Sequence, residues 1–409
     1  MTPEPRINLR RVRPDCDEPR CETGIVHDNG WQARCDDAIG LRLSRIKGMN
    51  FRTRKRKAAG AAKAAGVDAL LVTHLPDVRY LCGFTGSNAA LVIAGARAVL
   101  FTDGRYTAQA KYEAAGTRVV IAKKPAVTAA CDWMVDAGVK RCGFDALHTS
   151  VAALESMRKS VPGKLRRGMF VGLESLVARL REVKDEDEIP KIRAAAELGC
   201  RLFDEMLAYL RPGLKETEVA ATLEHAARIA GAEAMSFETI VASGERSSLP
   251  HGRASSARLP KRGFVTMDFG VVLDGYMSDM TRTVHIGKAR PEEREVYDAV
   301  LEAQETAVCT VAQGVTAGDV DEAARGVLRR AKLDQYFTHS TGHGVGLEIH
   351  EGPRLAAKQT QPLERGMVIT IEPGVYMPGK FGLRIEDMVL VTAKGREILT
   401  PSLKAWIEL

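Results

Sequence analysis

Five side chains of metal-binding type follow one another along the second half of the chain: Asp268, Asp279, His343, Glu372 and Glu386. Each stands in a short segment that reads as a strand or strand end: VTMDFG, YMSDMTRT, TGHGVG, VITIEPG and LRIEDMVL. Four carboxylates and one imidazole exceed what one small divalent ion takes. They suit two ions sharing carboxylates and a water. Asp268 and Asp279 flank GVVLDGYMS, which reads as a hairpin turning at Leu273–Asp274–Gly275 and returning the second Asp beside the first. Two carboxylates side by side in a core repel, and a cation between them removes the penalty. A structural reading of all five together is poor. The glycines around His343 permit close backbone approach, and Pro373 extends the chain at Glu372. Glu386, inside an apolar strand between Ile385 and Met388, is costly unless paired. The glycine run at His343 lacks the following helix that a dinucleotide loop requires.

Three more histidines belong with this set. His251 lies in SSLPHGR, His339 four residues before His343, and His350 seven after it. Near a metal pair they read as proton donors and oxyanion partners. Arg384 precedes Glu386 by two residues and so shares its strand face. It is suited to orienting that carboxylate or to holding a substrate carboxylate or carbonyl. His225, on an amphipathic helix, reads as a surface residue, and His285 and Cys309 carry no argument. Cys16, Cys21, His27 and Cys35 fit no tight zinc spacing.

These residues need a scaffold, and 409 residues suggest two domains. Residues 1–48 have dense charge, three of the eight cysteines and little periodicity, and read as a disordered or non-native extension. Residues 49–180 alternate between the two elements: an alanine-rich helix from Arg54 to Ala65, a buried strand VDALLVT, then further strands and helices, an α/β layer. The basic tract RTRKRK reads as a solvated face. The acidic segment Glu182–Glu188 reads as the first turn of a helix that opens the second domain, 181–409. There helices at Glu216–Ala230, Pro291–Gln313 and Gly318–Lys332 are set apart from the strands, an α+β domain with an antiparallel sheet. A net charge of +7 is modest for this length and gives no argument for nucleic acid. No apolar run is long enough to cross a membrane, and scattered cysteines suggest reduced thiols in the cytoplasm.

At these motifs the chain resembles the pita-bread metallopeptidases, in particular the branch of Xaa-Pro aminopeptidases and Xaa-Pro dipeptidases (prolidases). VRYLCGFTGSNAALVI and FTDGRY resemble a creatinase-type N-terminal domain. SSLPHGR, MDFGVVLDGYMSDMTRT, HSTGHGVGLEIHEGP and IEPGVYMPGKFGLRIED resemble the catalytic domain. The resemblance covers about residues 50–409. It implies Asp268, Asp279, His343, Glu372 and Glu386 as ligands of two divalent ions, with manganese favoured and cobalt or zinc able to substitute. It implies hydrolysis of the bond between an N-terminal residue and proline by a metal-bridging hydroxide. Glu372 would shuttle the proton, His251, His350 and Arg384 would act beside it, and His339 would line the proline side. The implied partners are Xaa-Pro peptides and a second copy of the chain. The intact ligand set argues against creatinase itself and against a non-catalytic binding module. The N-terminal domain argues against a methionine aminopeptidase.

Overall fold

The computed structural model describes residues 49–409. The extension expected at residues 1–48, with Cys16, Cys21, His27 and Cys35, lies outside them. Helix α1 (Phe51–Ala64) opens the described chain, its first turn capped by the Asn50 side chain accepting from the Thr53 amide. Its buried residues are Phe51, Arg54, Ala58 and Ala62, one stripe at helical spacing. Strand β1 (Ala69–Val72) follows, then α2 (Leu75–Cys82), β2 (Ala90–Ala94), β3 (Arg97–Thr102), α3 (Thr107–Glu113) and β4 (Arg118–Ile121). Helix α4 (Ala126–Asp136), β5 (Cys142–Asp145), α5 (Val151–Lys159), β6 (Phe170–Leu173) and α6 (Leu176–Glu182) complete this part. The apolar run VRYLCGF is thus mostly helix. The six strands form one mixed sheet in the order β4-β3-β2-β1-β5-β6. Alternate residues of β1 enter different cores: Leu70 and Val72 pack with Ala58 and Ala62, while Ala69 and Leu71 pack with Ala130 and Met134. Both faces of the sheet are therefore covered, as its apolar strands require.

The basic tract does not lie on a solvated face throughout. Arg54 is fully buried and pairs with Asp185 (2.9 Å), Asp187 (2.7 Å) and Glu188 (3.3 Å). Those acids come from the segment expected to be a helical first turn. They instead form the link between α6 and α7 (Ile189–Leu207), whose first turn holds no acid. A buried guanidinium needs compensating charge, and breaking such a pair costs about 3–5 kcal/mol.

In the second part every strand pairing is antiparallel. After α7 come α8 (Glu216–Ile229), β7 (Ala234–Met235) and β8 (Ile240–Ser243). A long hairpin follows: β9 (Gly263–Phe269) and β10 (Val271–Leu273) run out, and β11 (Tyr276–Met277) and β12 (Met280–Ile286) return. Its turn is the expected Asp274–Gly275 pair, both at positive φ, +50° and +75°, as a two-residue type I′ turn demands. Helices α9 (Pro291–Thr310) and α10 (Ala317–Arg330) lead to β13 (Gly342–Gly344) and β14 (Glu351–Leu355). A second long hairpin is built from β15 (Val368–Ile371), β16 (Gly374–Met377), β17 (Phe381–Arg384) and β18 (Asp387–Thr392), and β19 (Gly395–Ile398) closes the set.

Each long hairpin is shared between two sheets. In the first, β9 and β12 pair with each other and with β8, while β10 and β11 join β7. In the second, β15 and β18 belong to the five-stranded sheet and β16 and β17 stand as a separate pair. The breaks have local causes. The Ser278 hydroxyl accepts from the Val271 amide at 3.0 Å, replacing a ladder bond. Pro373 has no amide hydrogen to give. Helices α7 and α8 pack on β9 and β12, and α9 and α10 pack on β15 and β18. The hairpins are tied where they break: the Glu386 amide donates to the Thr281 carbonyl at 3.1 Å, and the Thr283 hydroxyl donates to the Arg384 carbonyl at 2.8 Å.

Candidate active site

The breaks in the two hairpins hold the acids. Asp268 lies near the end of β9 and its register partner is Thr281. Asp279 precedes β12, Glu372 follows β15, and Glu386 lies between β17 and β18 rather than inside an unbroken strand. His343 is the middle residue of β13. A Cβ on Gly342 would meet the Thr370 carbonyl at 1.9 Å and one on Gly344 the Gly352 carbonyl at 2.0 Å, so only glycine lets β13 lie this close to its neighbours.

All five side chains line one cleft of about 650 Å³, together with His251, His339, His350 and Arg384. Ligand-type atoms of Asp279, His343 and Glu386 lie within 4.8 Å of one another. His343 Nε2 is 3.4 Å from Glu372 Oε1 and 3.6 Å from Asp279 Oδ2, while its Nδ1 is 3.0 Å from the Gly344 carbonyl. That leaves Nε2 as the ring nitrogen turned to the acids. A larger groove of about 1100 Å³ beside α1 is lined, among the described residues, by Arg52, Lys55, Arg56, Lys63 and Arg97 and by no acid or histidine.

The carboxylates are held from one side only. Arg384 donates from Nη2 to Asp268 Oδ2, and the Thr281 hydroxyl donates to Glu386 Oε2 at 2.7 Å. The other oxygens, Asp268 Oδ1 and Glu386 Oε1, are buried and accept no hydrogen bond from the described residues. Unpartnered buried carboxylate oxygens carry a heavy desolvation cost. Burial, together with repulsion from Glu386, Asp268 and Glu372, holds the Asp279 carboxyl well above its usual range. Burial and repulsion from Glu372 and Asp268 do the same to Glu386. Burial pushes Glu372 up to about 7 against the relief offered by Arg384. Burial pushes His343 down to about 4, which keeps its imidazole neutral with a lone pair to give. Divalent cations would remove each of these penalties together, so the donor set fits them.

Arg384 is the hub of the polar wall. It donates to Tyr376 Oη at 2.6 Å, to the Pro250 carbonyl at 3.1 Å and, from Nε, to Thr281 Oγ1 at 3.0 Å. Tyr376 Oη is also 3.1 Å from His339 Nε2, and burial lowers His339 to about 4. His350 packs edge-on against His343 with ring centroids 4.4 Å apart. Burial and the neighbouring His251 lower its pKa. The sequence pattern did not single out Thr281 or Tyr376. Thr281 stands two residues after Asp279 and Tyr376 four after Glu372, but their role depends on contacts across the hairpins. Nor did it single out Arg354. This arginine is the register partner of His343 on β14, is exposed in the cleft, and has no carboxylate partner among the described residues. His225 is exposed, as expected, whereas His285 is wholly buried among aromatic rings.

A mixed α/β domain followed by a helix-backed antiparallel domain, with a cleft of carboxylates and imidazoles, defines a two-domain metallopeptidase. The model of metallopeptidase family M24 matches residues 190–393, and that of the creatinase/prolidase N-terminal domain matches residues 54–183. A Bacillus subtilis (strain 168) protein described as uncharacterized peptidase YqhT is 38% identical over 84% of this chain and 96% of its own length. The solved Xaa-Pro dipeptidase from Bacillus anthracis superposes with a TM-score of 0.85 at 37% identity, over 88% of this chain and 100% of that one. The X-Pro aminopeptidase from Thermotoga maritima MSB8 gives a TM-score of 0.79 at 37% identity, over 86% and 100%. The chain belongs to metallopeptidase family M24, and the family implies divalent metal ions. Among the described residues no helix is long and apolar enough to cross a membrane.

Proposed function

We propose that this protein hydrolyses the bond between an N-terminal residue and proline, with two divalent ions held by Asp268, Asp279, His343, Glu372 and Glu386. The observation that carries the reading is the pair of buried oxygens on Asp268 and Glu386 that have no hydrogen-bond partner among the described residues, on side chains that share one cleft with Asp279, His343 and Glu372. The relatives described as Xaa-Pro dipeptidase and X-Pro aminopeptidase support the substrate class. When bound, such ions would supply an acidified water and polarise the scissile carbonyl. A donor set of oxygens and one imidazole, without thiolate, favours manganese, with cobalt or zinc able to substitute.

The protein's own groups do the rest. Glu372 takes the proton from the attacking water and passes it to the proline nitrogen as the C–N bond breaks. His251 and His350 donate hydrogen bonds to the oxygen that gains charge. His339, fixed by Tyr376, lines the side that receives the proline ring. Arg384 orients Asp268. The X-Pro bond has no N–H, so recognition rests on the ring and on the group beyond it. Arg354, a cation in the cleft with no carboxylate partner among the described residues, favours a substrate ending in a carboxylate directly after proline, and hence dipeptides.

The domain limits proposed are 49–180 for the N-terminal domain and 181–409 for the catalytic domain. Homodimerisation is proposed from the family resemblance alone. A cytoplasmic location is supported by free thiols at Cys82, Cys131, Cys142, Cys200 and Cys309. The test is a manganese-loaded assay on an Xaa-Pro dipeptide, an Xaa-Pro-Xaa tripeptide and a Met-Ala peptide. Turnover of the dipeptide alone supports the dipeptidase, and turnover of the tripeptide moves the assignment to an aminopeptidase. Preference for Met-Ala, or no turnover of any, overturns the proposal.

A further inference from the structure

The segment joining β13 to β14 runs from Val345 to His350, and its last two residues, Ile349 and His350, line the cleft. It carries His350 at its end, and its side chains are gripped by cations from the N-terminal half of the chain. Arg181, at the end of α6, donates to Asp77 Oδ1 at 2.7 Å, to Glu348 Oε2 at 2.7 Å and to Glu351 Oε1. Lys184 donates to Glu351 Oε2 at 3.0 Å. His74, the residue before α2, completes the set: its Nε2 is 3.2 Å from Glu348 Oε1 and its Nδ1 is 3.3 Å from Asp77 Oδ2. Three cations thus face three carboxylates. The side chains of Arg181, Lys184, Asp77 and Glu351 are nearly inaccessible, at 1%, 1%, 2% and 4%.

His74 also stacks on His148, with ring centroids 3.8 Å apart and planes 14° from parallel, and His148 Nδ1 is itself held 2.8 Å from Asp145 Oδ2. His74, His148 and Glu348 offer three donor atoms close together. Stacked rings hold their lone pairs in nearly parallel planes 3.8 Å apart, however, and so do not converge on one ion. The arrangement suits a proton on His74 instead. The charged and titratable groups that face His74 are Asp77, Glu348, His148 and Arg181, and the two carboxylates bracket both ring nitrogens.

We infer that His74 is a positioning residue: as an imidazolium it clamps Glu348 to the N-terminal domain and so fixes the loop that presents His350 to the substrate. The inference rests on the peptidase reading for its catalytic consequence, though not for the clamp itself. Asp77 and Glu348 outweigh burial and raise His74 to about 9. The clamp is therefore intact at neutral pH and is released as pH rises through about 9. Displacement of a donor by about 1 Å can cost up to about 10²-fold in rate, so a loosened loop should lower kcat by about 10-fold.

The experiment uses the full chain loaded with manganese and compares wild type, His74→Gln and His74→Lys. His74→Gln is expected to lower kcat about 10-fold near pH 7.5 with KM and metal content little changed, and to lack the fall in kcat expected of wild type near pH 9. His74→Lys keeps a cation and is expected to restore the rate and carry the fall to higher pH. Amide hydrogen exchange over residues 345–351, measured at one pH, is expected to be faster in His74→Gln than in wild type or His74→Lys. Unchanged exchange in His74→Gln overturns the clamp whatever the activity. Faster exchange with unchanged kcat overturns the positioning role. If wild type turns over no Xaa-Pro peptide, the function proposed above fails, and the exchange comparison still decides the clamp.

Discussion

Replacing Thr281 by valine removes a single hydroxyl from a position of zero exposure and keeps the shape of the side chain. That hydroxyl donates to Glu386 Oε2 at 2.7 Å and accepts from Arg384 Nε at 3.0 Å. It therefore sets the angle at which Glu386 turns its free oxygen into the cleft, and it steadies the arginine that grips Asp268. A hydrogen bond to a charged group contributes about 1.5–3 kcal/mol. Losing an outer partner of a metal ligand typically costs about 10–100-fold in affinity, which is about 1.4–2.8 kcal/mol. The two scales agree, so Thr281→Val should weaken manganese binding by about 10–100-fold. The assay is calorimetric titration of chelator-stripped protein with Mn²⁺, beside circular dichroism to establish folding. Thr281→Ser should bind nearly as wild type. A folded Thr281→Val protein with affinity within twofold of wild type would refute the reasoning, because the Thr281 hydroxyl would then play no part in holding Glu386 for metal.

Asp279→Ala and Glu372→Ala should each abolish turnover in a folded protein, and normal activity in either would remove the dinuclear reading. His350→Ala should lower kcat by about 10²–10³-fold with metal content retained, and metal analysis showing occupancy falling in step with activity would make His350 a ligand instead. The metal-free protein should have an inverted pH response. Asp279, Glu372 and Glu386 have folded pKa values raised by burial, Glu372 to about 7. Their contribution is fully present below the unfolded range of about 4 and is lost as pH rises through about 7 and beyond. The Tm gained on adding manganese to chelated protein should thus widen from pH 5 to pH 8, and a constant or narrowing gain would contradict the assignment.

What could be read from the residues was whatever local chemistry decides. The Asp274–Gly275 turn needs two residues of positive φ, and its sequence advertises them, so the return of Asp279 toward Asp268 could be inferred. The long helices of the second domain have apolar spacing and clear ends. The strand breaks were not legible. Glu386 sits amid apolar residues that look like one continuous strand, but the ladder stops at Ile371 opposite Asp387 and resumes at Gly374 opposite Arg384, and the acids Glu372 and Glu386 fall in the gap. Arg54 misled for a related reason. A run of six residues rich in Arg and Lys looks solvated until acids about 130 residues later are brought against it. The acids of 185–188, in turn, imitate a helix start because they stand before one. Thr281 and Tyr376 have no periodicity or spacing that marks them, since their importance lies in atoms contributed by other strands.

The apolar core beside α1 does not stop at the junction near residue 183. Ala58, Leu70 and Leu91 share one continuous cluster with Ile192, Tyr276, Val345, Met388 and Leu390. Arg54 pairs with Glu188 at 3.3 Å, and Arg79 donates to the Asp274 carbonyl at 2.6 Å across the same junction. A boundary crossed this thoroughly by oil and charge alike is no seam for separation. Scanning calorimetry of the intact chain should record one endotherm rather than two. Either half made alone would present a raw apolar face to water and tend to aggregate. Genetic reshuffling that paired this N-terminal half with a foreign catalytic half would have to rebuild a shared interior as well as a linker.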